Sequence, residues 1–184
     1  MTNYTTRGIY NLSNQQQIHL RPISVSDAQT LYHFWSDPDV TAFMNITPMQ
    51  SVEQAEEMIL YITQLEHADR YTILLEDNTI VGTCGFNYID AVNQRGEIGY
   101  EIGKDFWRKG YMTQALQALI EEGFQTLNLN RIEAKVEPGN APSCRLLEKA
   151  GFHEEGTLRH FEKLNGVFLD MVMYSLLRSD CPSI

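Results

Sequence analysis

Residues 98–116 read IGYEIGKDFWRKGYMTQAL and predict a strand, a short loop and a helix. Apolar residues alternate with Glu and Gly as far as Ile102, which is the period of a strand. Beyond the loop, apolar residues recur at helical spacing from Leu116 onward. Gly110 stands just before the helix, where a residue without a side chain permits a tight turn and a close backbone approach. The segment therefore predicts a strand that leads through a glycine loop into a helix.

The head of this helix is a candidate anion site. The N–H groups from about Arg108 to Thr113 begin the helix and have no partner within it. They lie at the positive end of the helix dipole, which favours a phosphate or a pyrophosphate. Arg108 and Lys109 add positive charge at this point of an acidic chain. No GxxxxGK(S/T) loop is present and no GxGxxG follows a strand, so the common nucleotide loops do not fit.

Outward from this segment, the sequence predicts strands on both sides. The expected strands cover residues 18–23, 71–75, 80–87, 95–102 and 131–136, followed by a hairpin of two long strands. Two early helices are expected after the signals at Ser26-Asp27 and Ser51–Gln54, and a short helix begins near Asn140. Asn165-Gly166 is the strongest short-range hairpin signal in the chain. This order predicts an α+β domain on a mixed sheet.

The composition is that of one globular domain. The chain has 184 residues, 43% of them hydrophobic, and contains no repeat and no Pro/Gly/Ser-rich linker. We expect a domain over residues 17–178, with a polar segment over 1–16 and a tail over 179–184. No apolar run approaches the roughly 20 residues that span a bilayer, and the polar start lacks the apolar stretch of a signal peptide. A cytoplasmic protein without a membrane partner is therefore expected.

The charge and the cysteines narrow the choice of ligands. The net charge is −10 at pH 7, which disfavours nucleic acid because binding to its backbone requires clustered Lys and Arg. Such a surface attracts cations, such as polyamines, aminoglycosides or basic protein N-termini, and it equally serves solubility. The three cysteines lack the spacing of metal ligands, so we expect no metal site.

A second segment, residues 136–152, reads VEPGNAPSCRLLEKAGF and predicts a short helix. Pro142 stands in the first turn, where the missing N–H costs nothing. Gly151 suits the left-handed position that ends a helix. Taken alone, Asn140 and Ser143 would be helix-capping residues.

Together the two segments resemble the GNAT N-acetyltransferase superfamily, and the resemblance extends over about residues 18–177. The first is similar to the family's acyl-CoA loop, Gln/Arg-x-x-Gly-x-Gly/Ala, with Trp107 at the first position and Gly110 at the glycine. Met112 takes the small last position, a departure that requires its side chain to point away from the cofactor. The second is similar to the family's Asn-x-x-Ser motif, which is followed by a helix ending in Gly-Phe.

The closest branch is that of the ribosomal-protein-alanine N-acetyltransferases, judged from residues 107–113 and 164–170. The resemblance implies a single domain with a mixed, mostly antiparallel seven-stranded sheet, splayed after the fourth strand and flanked by about four helices. It also implies a monomeric or homodimeric enzyme that transfers acetyl from acetyl-CoA to a primary amine in a ternary complex. The leading acceptor is the α-amino group of a protein, peptide or amino acid. A polyamine or aminoglycoside is the alternative acceptor, and a non-catalytic acyl-CoA-binding module is the alternative function.

By the same resemblance, residues for the cofactor are assigned one by one. Backbone N–H groups near Glu101 and Ile102 would bind pantetheine and stabilise the oxyanion. Asn140 and Ser143 would contact the pantetheine arm, and Arg145 or Lys149 would meet the 3′-phosphate. The diphosphate would lie on the loop and helix residues Arg108, Lys109, Gly110, Tyr111, Met112 and Thr113.

The resemblance places the general base at Glu162 and the general acid at Ser143. If the Asn165-Gly166 turn sets the register, Glu162 faces Leu169 across the hairpin. It then shares a face with Leu158, Leu164 and Met171, an apolar setting that suits a general base.

Other residues compete for these two roles. Glu97 and Glu101 are the rival bases, because they share one face of the strand that carries the cofactor. Tyr174 and Tyr111 compete with Ser143 as the acid, and direct release of the thiolate without an acid is a further alternative. In the early helices, Phe43 lies where members of the family build the acceptor pocket.

Overall fold

The computed structural model describes residues 18–181, which form an α+β domain. The strands are β1 (Ile18–Pro22), β2 (Asp69–Leu75), β3 (Ile80–Asp90), β4 (Arg95–Ile102), β5 (Arg131–Val136), β6 (His153–Leu164) and β7 (Val167–Leu177). The helices are α1 (Ala28–Trp35), α2 (Pro38–Thr41), α3 (Val52–Thr63), α4 (Tyr111–Glu121) and α5 (Ala141–Lys149). The expected polar segment 1–16 and residues 182–184 of the expected tail lie outside the described residues.

The strands form one seven-stranded sheet in the order β1-β2-β3-β4-β5-β7-β6. Within the described chain, β4 and β5 are the parallel pair and the other neighbours are antiparallel. β4 pairs with β5 over Arg95–Glu97 alone, whereas β4 continues to Ile102 and β5 to Val136. The two strands therefore separate beyond Glu97. This confirms the predicted mixed sheet and its divergence after the fourth strand.

The helices cover both faces of the sheet. α4 and α5 pack on one face, where Leu116, Leu119 and Leu147 are almost fully buried. Each such leucine contributes about 1.5–3 kcal/mol by leaving water. α1 and α3 form a second core on the other face, with Trp35 and Ile59 at its centre. About four helices were expected, and the described residues contain one more because the short α2 begins at Pro38, with Asp37 as its N-cap.

The predicted hairpin forms at Asn165-Gly166, both of which have positive φ. Its strands pair Leu164 with Val167 and Glu162 with Leu169. The predicted cross-strand partner of Glu162 is thus confirmed. A bulge between Leu158 and Glu162 interrupts the ladder further along the strand.

The two early helices begin where predicted, but their capping contacts differ. Asp27 precedes α1 without capping it, because its carboxylate binds Arg21 at 2.7 Å and accepts a hydrogen bond from Thr72. Ser51 precedes α3, and Gln54 accepts instead from the backbone N–H of Gln50 at 2.8 Å. No helix within residues 18–181 is long and apolar enough to cross a membrane.

Candidate active site

The open edge of β4 lies where β5 has separated from it. Gly103 N–H donates to Val81 O, and because backbone groups alternate along an antiparallel ladder, Glu101 also points its amide toward β3. Tyr100 and Ile102 therefore direct their backbone groups toward the opening. Ile102 O accepts a hydrogen bond from Trp107 Nε1 at 2.9 Å. Of the two amides expected at this edge, only that of Ile102 faces it.

The glycine loop joins β4 to α4 through a short 3₁₀ turn at Lys104–Phe106. Gly110 has φ +82°, a left-handed conformation that favours glycine, and no atom lies within 4 Å of where its Cβ would be. α4 starts at the next residue, Tyr111, which packs against the core. Met112 is only 9% exposed and points into that core. Met112 is larger than the small residue that the family has at this position, but its side chain does not cover the head of the helix.

The remaining predicted loop residues surround this helix end. Arg108, Lys109 and Thr113 are exposed, and Lys109 Nζ lies 5.5 Å from the centre of the Phe106 ring. Lys149 is exposed in the last turn of α5. These positions place positive charge and N–H groups at the head of α4 and on α5.

Asn140 and Ser143 lie at the head of α5, on the far side of the opening from β4. Asn140 Oδ1 accepts from Ser143 N–H at 3.2 Å, so Asn140 caps the helix. The Ser143 hydroxyl lies 2.7 Å from the hydroxyl of Tyr100 on β4. Burial raises the pKa of Tyr100 to about 12, so its hydroxyl keeps its proton at neutral pH. The sequence did not single out Tyr100, because its hydrogen bond depends on how α5 docks across the opening.

Glu101 is a buried carboxylate with three partners. Trp35 Nε1 donates to it at 3.1 Å, the Thr83 hydroxyl also donates, and Arg70 forms an ion pair with it. These groups occupy its oxygens and connect α1 to the sheet. Glu101 is therefore poorly placed to take a proton from an acceptor amine, and its contacts favour a structural role.

Glu162 lies on the side of the sheet that carries α1 and α3, opposite Leu169 as predicted. Its surroundings are not wholly apolar, which corrects the expected setting. Lys135 Nζ lies 3.6 Å from Glu162 Oε1 and 3.1 Å from Glu97 Oε2. The ammonium group thus bridges the two candidate bases.

Lys135 was missed because the sequence does not show that β5 lies between β4 and β7. The signal was present in the alternation of β5, where Ile132, Ala134 and Val136 are buried and Lys135 faces the other way.

A cavity of about 430 Å³ connects these groups through the opening between β4 and β5. Ser143 and Asn140 line it from the side of α5, and Glu97, Lys135 and Glu162 line it from the other face of the sheet. The predicted base, Glu162, and the predicted acid, Ser143, therefore line the same cavity.

The rival acids lie elsewhere. Tyr174 is 2% exposed, and its hydroxyl lies 3.5 Å from Glu148 Oε1 and 3.5 Å from Glu154 Oε2. Tyr111 is the first residue of α4 and packs, partly buried, against the core. No cluster of three or more His, Cys, Asp or Glu side chains suited to a metal ion occurs within residues 18–181.

The split sheet, the glycine loop at a helix head and the shared cavity define an N-acetyltransferase that uses an acyl-CoA. The family model for the acetyltransferase (GNAT) domain matches residues 17–153. The chain therefore belongs to the GNAT acetyltransferase family.

Three comparisons agree with this assignment. An uncharacterized N-acetyltransferase p20 from Bacillus licheniformis is 48% identical over 169 residues, covering 90% of this chain and 95% of that protein. A ribosomal-protein-serine acetyltransferase from Escherichia coli (strain K12) is 32% identical over 130 residues, covering 69% of this chain and 72% of that one. A structure of a ribosomal L7/L12 alpha-N-protein acetyltransferase in complex with coenzyme A superposes with a TM-score of 0.81 at 25% identity, covering 92% and 98% of the two chains.

Proposed function

We propose that this acetyltransferase acts on the α-amino group of a protein, peptide or amino acid, with acetyl-CoA as the donor. The supporting observation is the cavity through the opening of the sheet, which receives Ser143 from one face and Glu162 from the other. A donor thioester and an acceptor amine that approach from opposite faces would meet between these two side chains. Holding the thioester and the amine close together would remove the need for the two substrates to meet in solution, and this effect accounts for a large part of catalysis in such transfers.

The residues present fit the donor. The diphosphate would lie on the N–H groups of residues 108–113, where Gly110 leaves open space and Met112 points away. The pantetheine arm would pass between β4 and β5, along the outward-facing amide of Ile102 and beside Asn140. Lys149 or Arg145 would meet the 3′-phosphate from α5, since both are exposed on that helix.

In the proposed reaction the acceptor nitrogen attacks the thioester carbonyl, so that a C–N bond forms and the C–S bond breaks. Glu162 takes the proton whose loss frees the lone pair of the amine. The nitrogen loses a second proton as the C–S bond breaks, and the Ser143 hydroxyl, which receives a proton as it donates its own, would pass that proton to the departing sulfur. The amide of Ile102 would stabilise the negative oxygen that develops between the two steps. An α-amine has a pKa of about 7.7–8.0, so a sizeable fraction of it is already neutral near physiological pH and the base has little work to do.

A polyamine or aminoglycoside is the competing acceptor, favoured by the net charge of −10. One experiment separates the two. The full chain is incubated with acetyl-CoA and either short peptides with free N-termini or a polyamine, free thiol release is followed, and the products are weighed by mass spectrometry. The proposal expects a mass gain of one acetyl group on the peptide N-terminus. Acetylation of the polyamine alone would overturn it.

A further inference from the structure

The two ends of the cavity differ in chemistry. At the opening of the sheet it is lined by charged side chains, whereas the lining residues from 43–68 are apolar apart from Asn45. This apolar end includes three methionines, Met44, Met49 and Met58. No charged side chain of the described residues 43–68 lines it.

The apolar end includes a stripe on α3 and the turn after it. Met58 and Ile62 lie four residues apart on one side of α3, and Leu65, just after the helix ends, lines the same cavity. Ala55 and Ile59, on the adjoining side, are 0% exposed in the core. The stripe itself is less covered, since Met58 and Ile62 are half-buried and Leu65 is 38% exposed. An apolar surface open to a cavity is stabilised when an apolar ligand covers it.

The charged end has an excess of negative charge. Four glutamates line the cavity, namely Glu97, Glu101, Glu137 and Glu162, against the two cations Arg70 and Lys135. Arg70 is committed to Glu101, so Lys135 is left beside Glu97 and Glu162. A cationic ligand head is therefore favoured at the opening and an apolar body at the other end.

From the combination of a negatively charged end and an apolar end in one cavity, we infer that the acceptor is a protonated primary amine carried on a large apolar group. The inference rests on the proposed function, because it assigns the acceptor of the same site. The amine would lie at the opening beside Glu162, and the apolar group would cover Met58, Ile62 and Leu65. Leucine, methionine or phenylalanine at a peptide N-terminus has this chemistry, and so does a free arylalkylamine.

The same surfaces disfavour two other kinds of acceptor. A second cationic group on a polyamine or an aminoglycoside would lose its hydration against methionine side chains without gaining a carboxylate partner. Alanine or serine at an N-terminus would leave the α3 stripe uncovered. Because methionine side chains are flexible, the pocket accepts several apolar shapes rather than one.

The first test compares acceptors that differ only in the apolar group. The initial rate of thiol release gives kcat/KM for peptides of one sequence that begin with Phe, Leu, Ala or Ser. Phenethylamine, ethylamine and spermidine are measured alongside, and they separate a free amine from a peptide acceptor. One methylene buried in such a pocket changes kcat/KM by about 10-fold or more, so we expect kcat/KM for the Phe and Leu peptides to exceed that for the Ala and Ser peptides by at least about 10-fold. Equal rates, or a preference for Ala, Ser or spermidine, would overturn the inference.

A charge placed in the stripe tests the location of the apolar group. Leu65→Asp should lower kcat/KM for the Phe peptide by about 10-fold and raise it for spermidine, whose second amine gains a partner. Leu60→Asp is the matched control, because Leu60 lies on α3 at 47% exposure and does not line the cavity. Thermal unfolding checks that both variants fold. Identical substrate profiles for the two variants would place the acceptor elsewhere.

These outcomes separate the two claims. If the protein releases thiol with Ala or Ser peptides as readily as with Phe peptides, the acceptor class is wrong while the α-amine acetyltransferase stands. If it releases no thiol with any of these amines, both the class and the proposed function fail.

Discussion

At the scale of single residues, the site depends on pairs that come from different parts of the chain. Glu162 on β6 lies next to Lys135 on β5, and Ser143 on α5 bonds Tyr100 on β4. Neither pair is close in sequence, so each forms only when the elements that carry its two members have packed together. The effect of a substitution in one member of a pair should therefore be compared with the effect of a substitution in its partner.

Glu162→Gln should reduce kcat/KM most strongly at low pH. Below the amine pKa of about 7.7–8.0 the acceptor is protonated and needs a base, whereas above it the amine is already neutral. We expect a loss of about 100-fold at pH 6.5 that shrinks toward pH 9. Glu154→Gln, on the same strand and outside the cavity, is the control for charge. A loss that is constant with pH would exclude Glu162 as the base.

Ser143→Ala should slow turnover by about 100-fold, because the sulfur loses its proton donor. Tyr100→Phe should slow it less, about 10-fold, because it removes only the group that orients Ser143. The raised pKa of Tyr100, about 12, keeps this hydroxyl protonated through the assay range, so both losses should be flat up to about pH 10. The double variant should match Ser143→Ala, since paired residues are non-additive. Additive losses would show that the two hydroxyls act separately.

At the scale of elements, the glycine loop and α4 present the surface that would hold the donor. Its geometry depends on Gly110, which is left-handed, and on Met112, which is turned into the core. The head of α4 therefore presents its backbone N–H groups, with the exposed cations Arg108 and Lys109 just before them.

Gly110→Glu should weaken acetyl-CoA binding by at least about 100-fold, and titration calorimetry measures it. The carboxylate would cover the amides and repel the diphosphate. Gly110→Ala has the same backbone cost at φ +82° but adds no charge and little volume, so it is the matched control. We expect it to bind within about 10-fold of the wild type. Equal affinities for the Glu and Ala variants would refute the assignment of the loop.

The sequence predicted these elements unevenly, for physical reasons. The Asn165-Gly166 hairpin and its register were predictable because a two-residue turn fixes which residues face each other. The caps of α1 and α3 were not, because Asp27 and Gln54 find other partners in the folded chain. The role of Lys135 was likewise hidden, since the order β4-β5-β7 follows from crossovers that no local pattern encodes.

At the scale of the whole molecule, the sheet separates two hydrophobic cores, and on the face that carries α1 and α3 Glu101 connects α1 to the sheet. It lies on β4, accepts from Trp35 in the core of α1 and α3, and pairs with Arg70 on β2. The opening of the sheet begins on the other edge of the same strand. The position of the cavity therefore depends on this ion pair through the placement of β4 and α1.

Glu101→Gln should lower the stability of the whole domain rather than the chemistry of the site. Removing the charge leaves Arg70, whose side chain is 13% exposed, without its partner, which costs about 3 kcal/mol. For a domain of this size we expect the Tm to fall by about 6–12 °C, measured by calorimetry. Glu137→Gln removes the same charge from another cavity position and should change the Tm by less than about 2 °C. If instead Glu101→Gln keeps the wild-type Tm and loses turnover with the pH profile expected of a missing base, Glu101 and not Glu162 takes the proton.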